Sequence, residues 1–357
     1  MNFRFIGKLN YVGLEKEKPS LRTGKTKGGA EYKSLSFGIS AGQSNWGFVE
    51  MFGMKRSVIK TMNSDNEKFD VDWDCRFDED VIENVANYRK IFVNTTTDRE
   101  TRKVFISEYD AIEYIVSNIE LFNNKKVVVS GRVEKNEYNG KLTDRFVFSS
   151  LYIADESARE TFRATTPYFF TKEDIDASEW KDSKRIYIDG CISTYIGSEK
   201  KNMYVKHQVI FDASKIDYNN DEHVKIKDFN LAQLKLEEVD GAIKNNLSSN
   251  KVYAISMELG YINGAEKVEF DINTLTENQR MSIELGIKTV DDFRPRGEVF
   301  GDRVKEYRIV GYNLRGDSAD GVYEADDTVD EFNSNIYSVA IVSETQEEND
   351  AFKDLFE

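Results

Sequence analysis

The constraint that narrows the fold most is an order of patterns that occurs twice along the chain: period-2 runs, one helical run, then two more period-2 runs. In the first occurrence Phe3, Phe5, Gly7, Leu9 and Tyr11 alternate with more polar neighbours, as in a half-buried strand. Y-K-S-L-S-F-G-I-S and W-G-F-V-E-M-F-G follow, joined by A-G-Q-S-N in a predicted hairpin. D-A-I-E-Y-I-V-S-N-I-E-L-F then sets Ile112, Ile115, Ile119 and Phe122 at helical spacing, with Asp110 and Glu113 as its expected capping box. From Lys126 to Ile153 two strand-like runs flank Asn139-Gly140, a strong hairpin signal.

The order resumes at R-I-Y-I-D-G-C-I-S-T-Y-I, from Arg185, which parallels the first strand. M-Y-V-K-H-Q-V-I-F parallels W-G-F-V-E-M-F, D-F-N-L-A-Q-L-K-L-E-E-V supplies the helix, and N-K-V-Y-A-I-S-M-E-L-G-Y-I-N-G matches the strand at Lys126. Y-R-I-V-G-Y-N-L would be the last strand. Gly7 and Gly190, Phe52 and Phe211, and Lys126 and Lys251 are 183, 159 and 125 residues apart, so the second copy has shorter connections and the repeat is architectural. The expected organisation is a module at 1–155 with an insertion at about 61–124, a linker at 156–184, a second module at 185–316, and a tail at 317–357. The predicted class is mainly β: two tandem five-stranded Greek-key barrels of the oligonucleotide-binding (OB) type, each with its helix between the third and fourth strands. Any pair of small all-β or α+β barrels would produce a similar pattern.

Net charge is −15, which at first argues against a nucleic-acid partner. Its distribution reverses that inference. From Asp317 to Glu357 there are 13 acidic residues and one basic residue, Lys353, a net of −12, so the other 316 residues carry only −3. Residues 1–60 sum to +7, 61–120 to −8 and 121–155 to +2. The tail is expected to be a partly disordered acidic arm, because like charges repel and little apolar surface is available to bury.

In W-G-F-V-E-M-F, Trp46, Phe48 and Phe52 share one strand face with Glu50, while Val49 and Met51 take the other. Aromatic faces and cations together hold single-stranded nucleic acid without reading its sequence. Three large aromatics on one face also suit a core, but Glu50 among them favours solvent. Nearest in sequence are Arg22, Lys25, Lys27, Lys33, Lys55 and Arg56, with Tyr138, Lys141 and Arg145 on the later hairpin. In the second module Tyr195, Lys200, Lys201, Tyr204 and Lys206 make a weaker set.

F-I-G-K-L, W-G-F-V-E-M-F-G and K-V-V-V-S-G-R-V with its hairpin, in that order, resemble the bacterial and bacteriophage single-stranded-DNA-binding proteins of the OB family over about 150 residues. The resemblance implies that Trp46 and Phe52 stack on bases, that the Lys126–Ile153 hairpin clasps DNA, and that the acidic tail recruits replication partners through Phe352, Leu355 and Phe356. It departs from the family in its long insertion, and in ending on Glu357 after Phe356.

Other chemistries fit poorly. Two cysteines and two histidines give neither a disulfide framework nor a four-thiolate or three-histidine zinc site. Gly24-Lys25-Thr26 imitates a phosphate-binding loop, but Pro19 holds the upstream glycine position. Asp70, Asp72 and Asp74 open like a calcium loop, but Cys75 and Val81 hold its glycine and closing glutamate positions. No catalytic pair, metal or cofactor is expected, and no stretch of about 18 apolar residues suggests a membrane span. The expectation is a non-enzymatic, cytoplasmic single-stranded-DNA-binding protein of replication and recombination, in the host cytoplasm if phage-encoded. The alternatives are an adaptor or virion component built from OB modules and, more remotely, a metal-dependent nuclease using the acidic insertion.

Overall fold

The computed structural model describes residues 1–42, 44–138, 141–196, 199–268, 275–293, 299–312 and 321–337. Four strands open the chain: β1 (Asn2–Asn10), β2 (Leu21–Lys25), β3 (Glu31–Ala41) and β4 (Asn45–Met54). β3 is antiparallel to β1, β2 and β4. The insertion adds a hairpin of β5 (Val58–Met62) and β6 (Lys68–Asp72), then α1 (Glu79–Asn84), β7 (Ile91–Asn94) and β8 (Lys103–Phe105). α2 (Glu108–Ser117) and α3 (Ile119–Phe122) lead into β9 (Lys126–Tyr138) and β10 (Lys141–Ile153). β9 is antiparallel to both β1 and β10, and β10 closes the circuit by running parallel to β4 at Phe146 and Val49. The order β1-β3-β4-β10-β9-β1, with a helix between the third and fourth barrel strands, is the OB barrel. Phe5, Leu9, Leu35, Ile39, Val49, Met51, Val129 and Leu151 fill it, each fully buried, and each such side chain contributes about 1.5–3 kcal/mol.

The helix begins earlier than the expected box at Asp110. Ser107 is its N-cap and accepts from the Asp110 N–H, while the Asp110 carboxylate pairs with Arg76 of the insertion at 2.8 Å. Gly53 allows the helix to close on the barrel, since a Cβ there would lie 2.2 Å from the Tyr109 nitrogen. Val71, Val85 and Ile106 give the insertion a small core of its own. Asp70 and Asp72 share one face of β6, and Lys60 stands opposite Asp70 in the register.

The stretch expected as a linker is a structural strand. β11 (Thr161–Phe170) buries Phe162, Ala164, Thr166, Tyr168 and Phe170 at period 2. It is followed by β12 (Ile175–Asp176), α4 (Trp180–Ser183), β13 (Arg185–Ile188), β14 (Cys191–Ile196), β15 (Lys201–Lys206), β16 (Val209–Asp212) and α5 (Asp221–Gln233). Next come the hairpin β17 (Leu236–Val239) and β18 (Ala242–Asn245), then β19 (Tyr253–Val268), α6 (Glu277–Glu284) and β20 (Val299–Tyr312). β11 pairs with β14 and β19, β14 with β15, β13 with β16, β19 with β20, and β16 runs parallel to β20. These are the OB connections again, with β11 as first strand. The run from Arg185 is therefore the second strand of its barrel and not the first. Helix α5 also starts and stops earlier than D-F-N-L-A-Q-L-K-L-E-E-V suggests: Lys235 has φ 55°, and the chain turns at Asp240-Gly241 with φ 50° and 75°.

β11 is shared between the two barrels. Its first half pairs with β1, at Thr161 to Thr165, and most of its length pairs with β19. Phe5 lies 4.4 Å from Phe162 and 4.9 Å from Phe146 between ring centroids, and Phe146 lies 5.0 Å from Tyr261, so one aromatic core runs through both halves. Asn45 fastens them further, accepting from the Asn263 N–H and donating to the Tyr261 carbonyl at 2.8 and 3.2 Å. Among the described residues no helix is long and apolar enough to cross a membrane, and no group of three or more His, Cys, Asp or Glu is placed to hold a metal.

The first part of the acidic tail is docked. β21 (Tyr323–Glu324) pairs with β19, and α7 (Val329–Ser334) carries Phe332 into a fully buried position. Five acidic side chains ride on this segment, yet Val322 and Phe332 supply enough apolar surface to hold it down.

Candidate nucleic-acid interface

β4 has its odd positions inside the barrel and its even positions outside. Gly47, Val49, Met51 and Gly53 are buried, while Phe48 and Phe52 are 55% and 47% exposed and Trp46 is half-buried. The aromatic set therefore forms a surface platform and not core. Its cross-strand neighbours on β3 are Ser40 beside Trp46, Gly38 beside Phe48, Ser36 beside Glu50 and Ser34 beside Phe52. Small side chains leave the rings uncovered. A Cβ on Gly38 would already touch the rings of Trp46 and Phe48, at 3.5 and 3.6 Å.

Tyr32, which sequence reasoning missed, stacks on Phe52 at 5.6 Å and 29°. Its signal was available, as Tyr32 falls on the same β3 face as Ser34 and Ser36. Lys8 was also missed: it is exposed on β1 and pairs with Ser40, in the same row as Trp46. Arg22 lies in the row of Ser34 and Phe52. Glu50, the one acid on the platform, is paired with Arg145 of β10, so its charge is offset where bases would lie.

The remaining cations divide. Lys25 and Lys27 are exposed along β2 and its turn, with Lys25 3.9 Å from Glu31, and Lys55 and Arg56 are exposed just past β4. Lys33 does not belong to the platform. As an odd position on β3 it turns to the inner face, where its ammonium pairs with Glu113 at 2.9 Å and sits 4.1 Å over the Tyr109 ring of α2. Tyr138 and Lys141 oppose one another in the β9–β10 register, and their side chains lie outside the described residues.

On the second barrel the face equivalent to β3–β4 is β14–β15, and the C-terminal segment covers part of it. Tyr204 is not available for stacking. Its ring is held between Phe332 at 4.7 Å and Phe169 at 5.0 Å, its hydroxyl donates to Asp327, and its backbone bonds to Asn335 and Tyr337. Burial and the Asp327 carboxylate raise the Tyr204 hydroxyl pKa. Lys206 is tied to Asp174 at 2.9 Å and to the Asp189 carbonyl. Tyr195, Lys200 and Lys201 remain exposed at the far end of the hairpin. Phe352, Leu355 and Phe356 lie outside the described residues.

No protein-family model matches the chain, and no curated protein matches it. Among solved structures it is similar to the wild-type single-stranded DNA binding protein from Thermus aquaticus, at 8% identity and a TM-score of 0.27 over 73% of this chain and 84% of that one. A deletion mutant of the same Thermus protein gives 10% identity and a TM-score of 0.28 over 73% and 86%. The strand pairing, and not this likeness, defines the two barrels as OB folds.

Proposed function

We propose that this chain binds single-stranded DNA without reading its sequence, coating and protecting intermediates of replication and recombination, and that it acts by binding and not by catalysis. The observation that carries this reading is the outward aromatic row Trp46, Phe48 and Phe52, with Tyr32 stacked on it, Ser and Gly as its lateral neighbours, and Lys8, Arg22, Lys55 and Arg56 around it. Bases gain from the π-faces whatever their identity, and phosphates gain from the cations. The first barrel is the principal DNA-binding element. The second supplies Tyr195, Lys200 and Lys201 at its open end. A phage origin fits the layout of two barrels followed by an acidic tail.

Titration with oligo(dT), followed by fluorescence anisotropy, is expected to show binding at low salt that weakens steeply as salt rises, with a log–log slope on the order of −3 if about four phosphates are neutralised. Duplex of equal length is expected to bind more weakly. Equal affinity for duplex and single strand would favour the adaptor reading.

In this reading the segment after Tyr337 acts as a polyanion that competes with DNA and presents Phe352, Leu355 and Phe356 to partner enzymes. Removing residues 338–357, which carry six acids and one lysine, is expected to tighten oligo(dT) binding severalfold at low salt and to change little at high salt. Affinity unchanged at both salts would reject the competition. Truncation at residue 316 is the less clean experiment, because it also removes the buried Phe332 and Val322 and is expected to lower stability by about 3–5 kcal/mol from the phenylalanine alone.

A further inference from the structure

We propose that the insertion of the first barrel extends the nucleic-acid path, with Trp73 as a further stacking residue for a base of the bound strand; this rests on the single-strand reading above. Past Phe52 and Tyr32, β4 ends and the chain continues through the exposed Lys55 and Arg56 to Ser57. The β5–β6 hairpin, with Val58 opposite Asp72, then folds Trp73 back beside that point, and the Trp73 backbone N–H donates to the Ser57 carbonyl at 2.9 Å. The result is an open cleft of about 380 Å³ lined by Lys55, Arg56, Trp73 and the β2–β3 turn at Gly29 to Glu31. That volume falls within the range of small-ligand sites, roughly 300–1,000 Å³.

The indole is held in place before any ligand arrives. The Arg76 guanidinium lies 4.2 Å from its ring centroid and is itself fixed by Asp110 at 2.8 Å, and Tyr109 meets it edge-on at 6.1 Å. A pre-ordered aromatic loses little freedom on binding. The pairing of a half-buried ring with two exposed cations repeats, at the end of β4, the chemistry of the platform itself. Glu31 lines the same cleft, and Asp72 and Asp74 flank Trp73 in sequence. Their charge disfavours phosphate near the indole, so the base belongs on Trp73 and the phosphates on the side of Lys55 and Arg56. The insertion, net acidic over its length, thus contributes a ring and not charge.

The chain has three tryptophans, and Trp180 is 1% exposed and bonded to Glu238. Trp46→Phe in the full chain therefore leaves Trp73 as the reporter that reaches solvent. Fluorescein-labelled oligo(dT) of about 5 and about 20 nucleotides, bracketing the span of an OB barrel, is followed by anisotropy, and unlabelled oligo by indole emission. The longer oligo is expected to quench the emission of the Trp46→Phe protein, and Trp46→Phe with Trp73→Phe is expected to leave a signal that does not respond. Trp73→Ala is expected to weaken binding of the longer oligo about tenfold and of the shorter one less than twofold. Lys55→Glu with Arg56→Glu, at two exposed positions shared with the platform, is expected to weaken binding of both oligos, the longer one more. Binding of the longer oligo by anisotropy with no change in emission, or with unaltered affinity in both variants, overturns the assignment of Trp73 and leaves the DNA reading standing. Failure of every protein to bind either oligo overturns the DNA reading and this inference with it.

Discussion

Replacing Trp46, Phe48 and Phe52 together by alanine is expected to weaken oligo(dT) binding at least about 100-fold, since each lost stack removes roughly 1–3 kcal/mol and 1.4 kcal/mol is a factor of ten. The melting temperature is expected to move by only a few degrees, because Phe48 and Phe52 are about half exposed and the triple change opens no cavity in the barrel. Met51→Ala, one residue from Phe52, makes the opposite prediction. Met51 is 1% exposed on the inner face, so its truncation is expected to cost about 2–5 kcal/mol of stability while the folded protein binds DNA normally. The pair of measurements separates the two faces of one strand. If the triple variant binds within threefold of the parent, the exposed rings serve a protein partner, and the adaptor reading gains.

How much of this was legible in the sequence depended on whether side-chain period or lateral contact carried the signal. W-G-F-V-E-M-F disclosed both its faces, because strand alternation is a local property and Glu50 marks the wet side. On β3 the same alternation turns Lys33 inward with Leu35 and Phe37, against its place among the basic residues near the platform in sequence. β11 reads as a linker in sequence although Phe162, Ala164, Thr166, Tyr168 and Phe170 alternate correctly, because E-S-A-R-E and Pro167 look like a break. Proline is tolerated there: the pairing with β1 ends at Thr165, so β11 meets only β19 at Pro167. The covering of Tyr204 was beyond local reading. Phe332 lies 128 positions away among acids, and only tertiary contact shows that a charged segment can dock through one buried ring.

The contact that joins the halves supports the second large effect. Lys135 and Asp144, on the two strands of the β9–β10 hairpin, are 7% and 10% exposed and 2.7 Å apart. The Tyr307 hydroxyl of β20 donates to Asp144 at 2.8 Å, and His207 lies 3.3 Å from the Lys135 ammonium with its ring against Tyr307. Asp144→Asn keeps the shape but leaves a buried ammonium without its counter-charge, and is expected to cost about 3–5 kcal/mol at neutral pH.

The pH dependence identifies the partners. Burial alone would raise the Asp144 pKa, but the Lys135 ammonium and the bonds from Lys135 and Tyr307 hold it below the usual carboxylate value. Its contribution is therefore complete above about pH 4 and is lost as pH falls through the lower, folded value. His207 is pushed down to about 3 by burial, with Lys135 adding to the effect. The unfolded chain takes up that proton first, so stability also drains as pH falls from about 6.5, on the order of 3 kcal/mol by pH 4. Urea unfolding of the parent should show both declines. His207→Phe, which keeps a ring on Tyr307, should flatten the one between pH 6.5 and 4, and Asp144→Asn should start lower and lose less below pH 4. An Asp144→Asn protein as stable as the parent at pH 7 would mean that the shared strand β11 and the aromatic core hold the two barrels together without this ion pair.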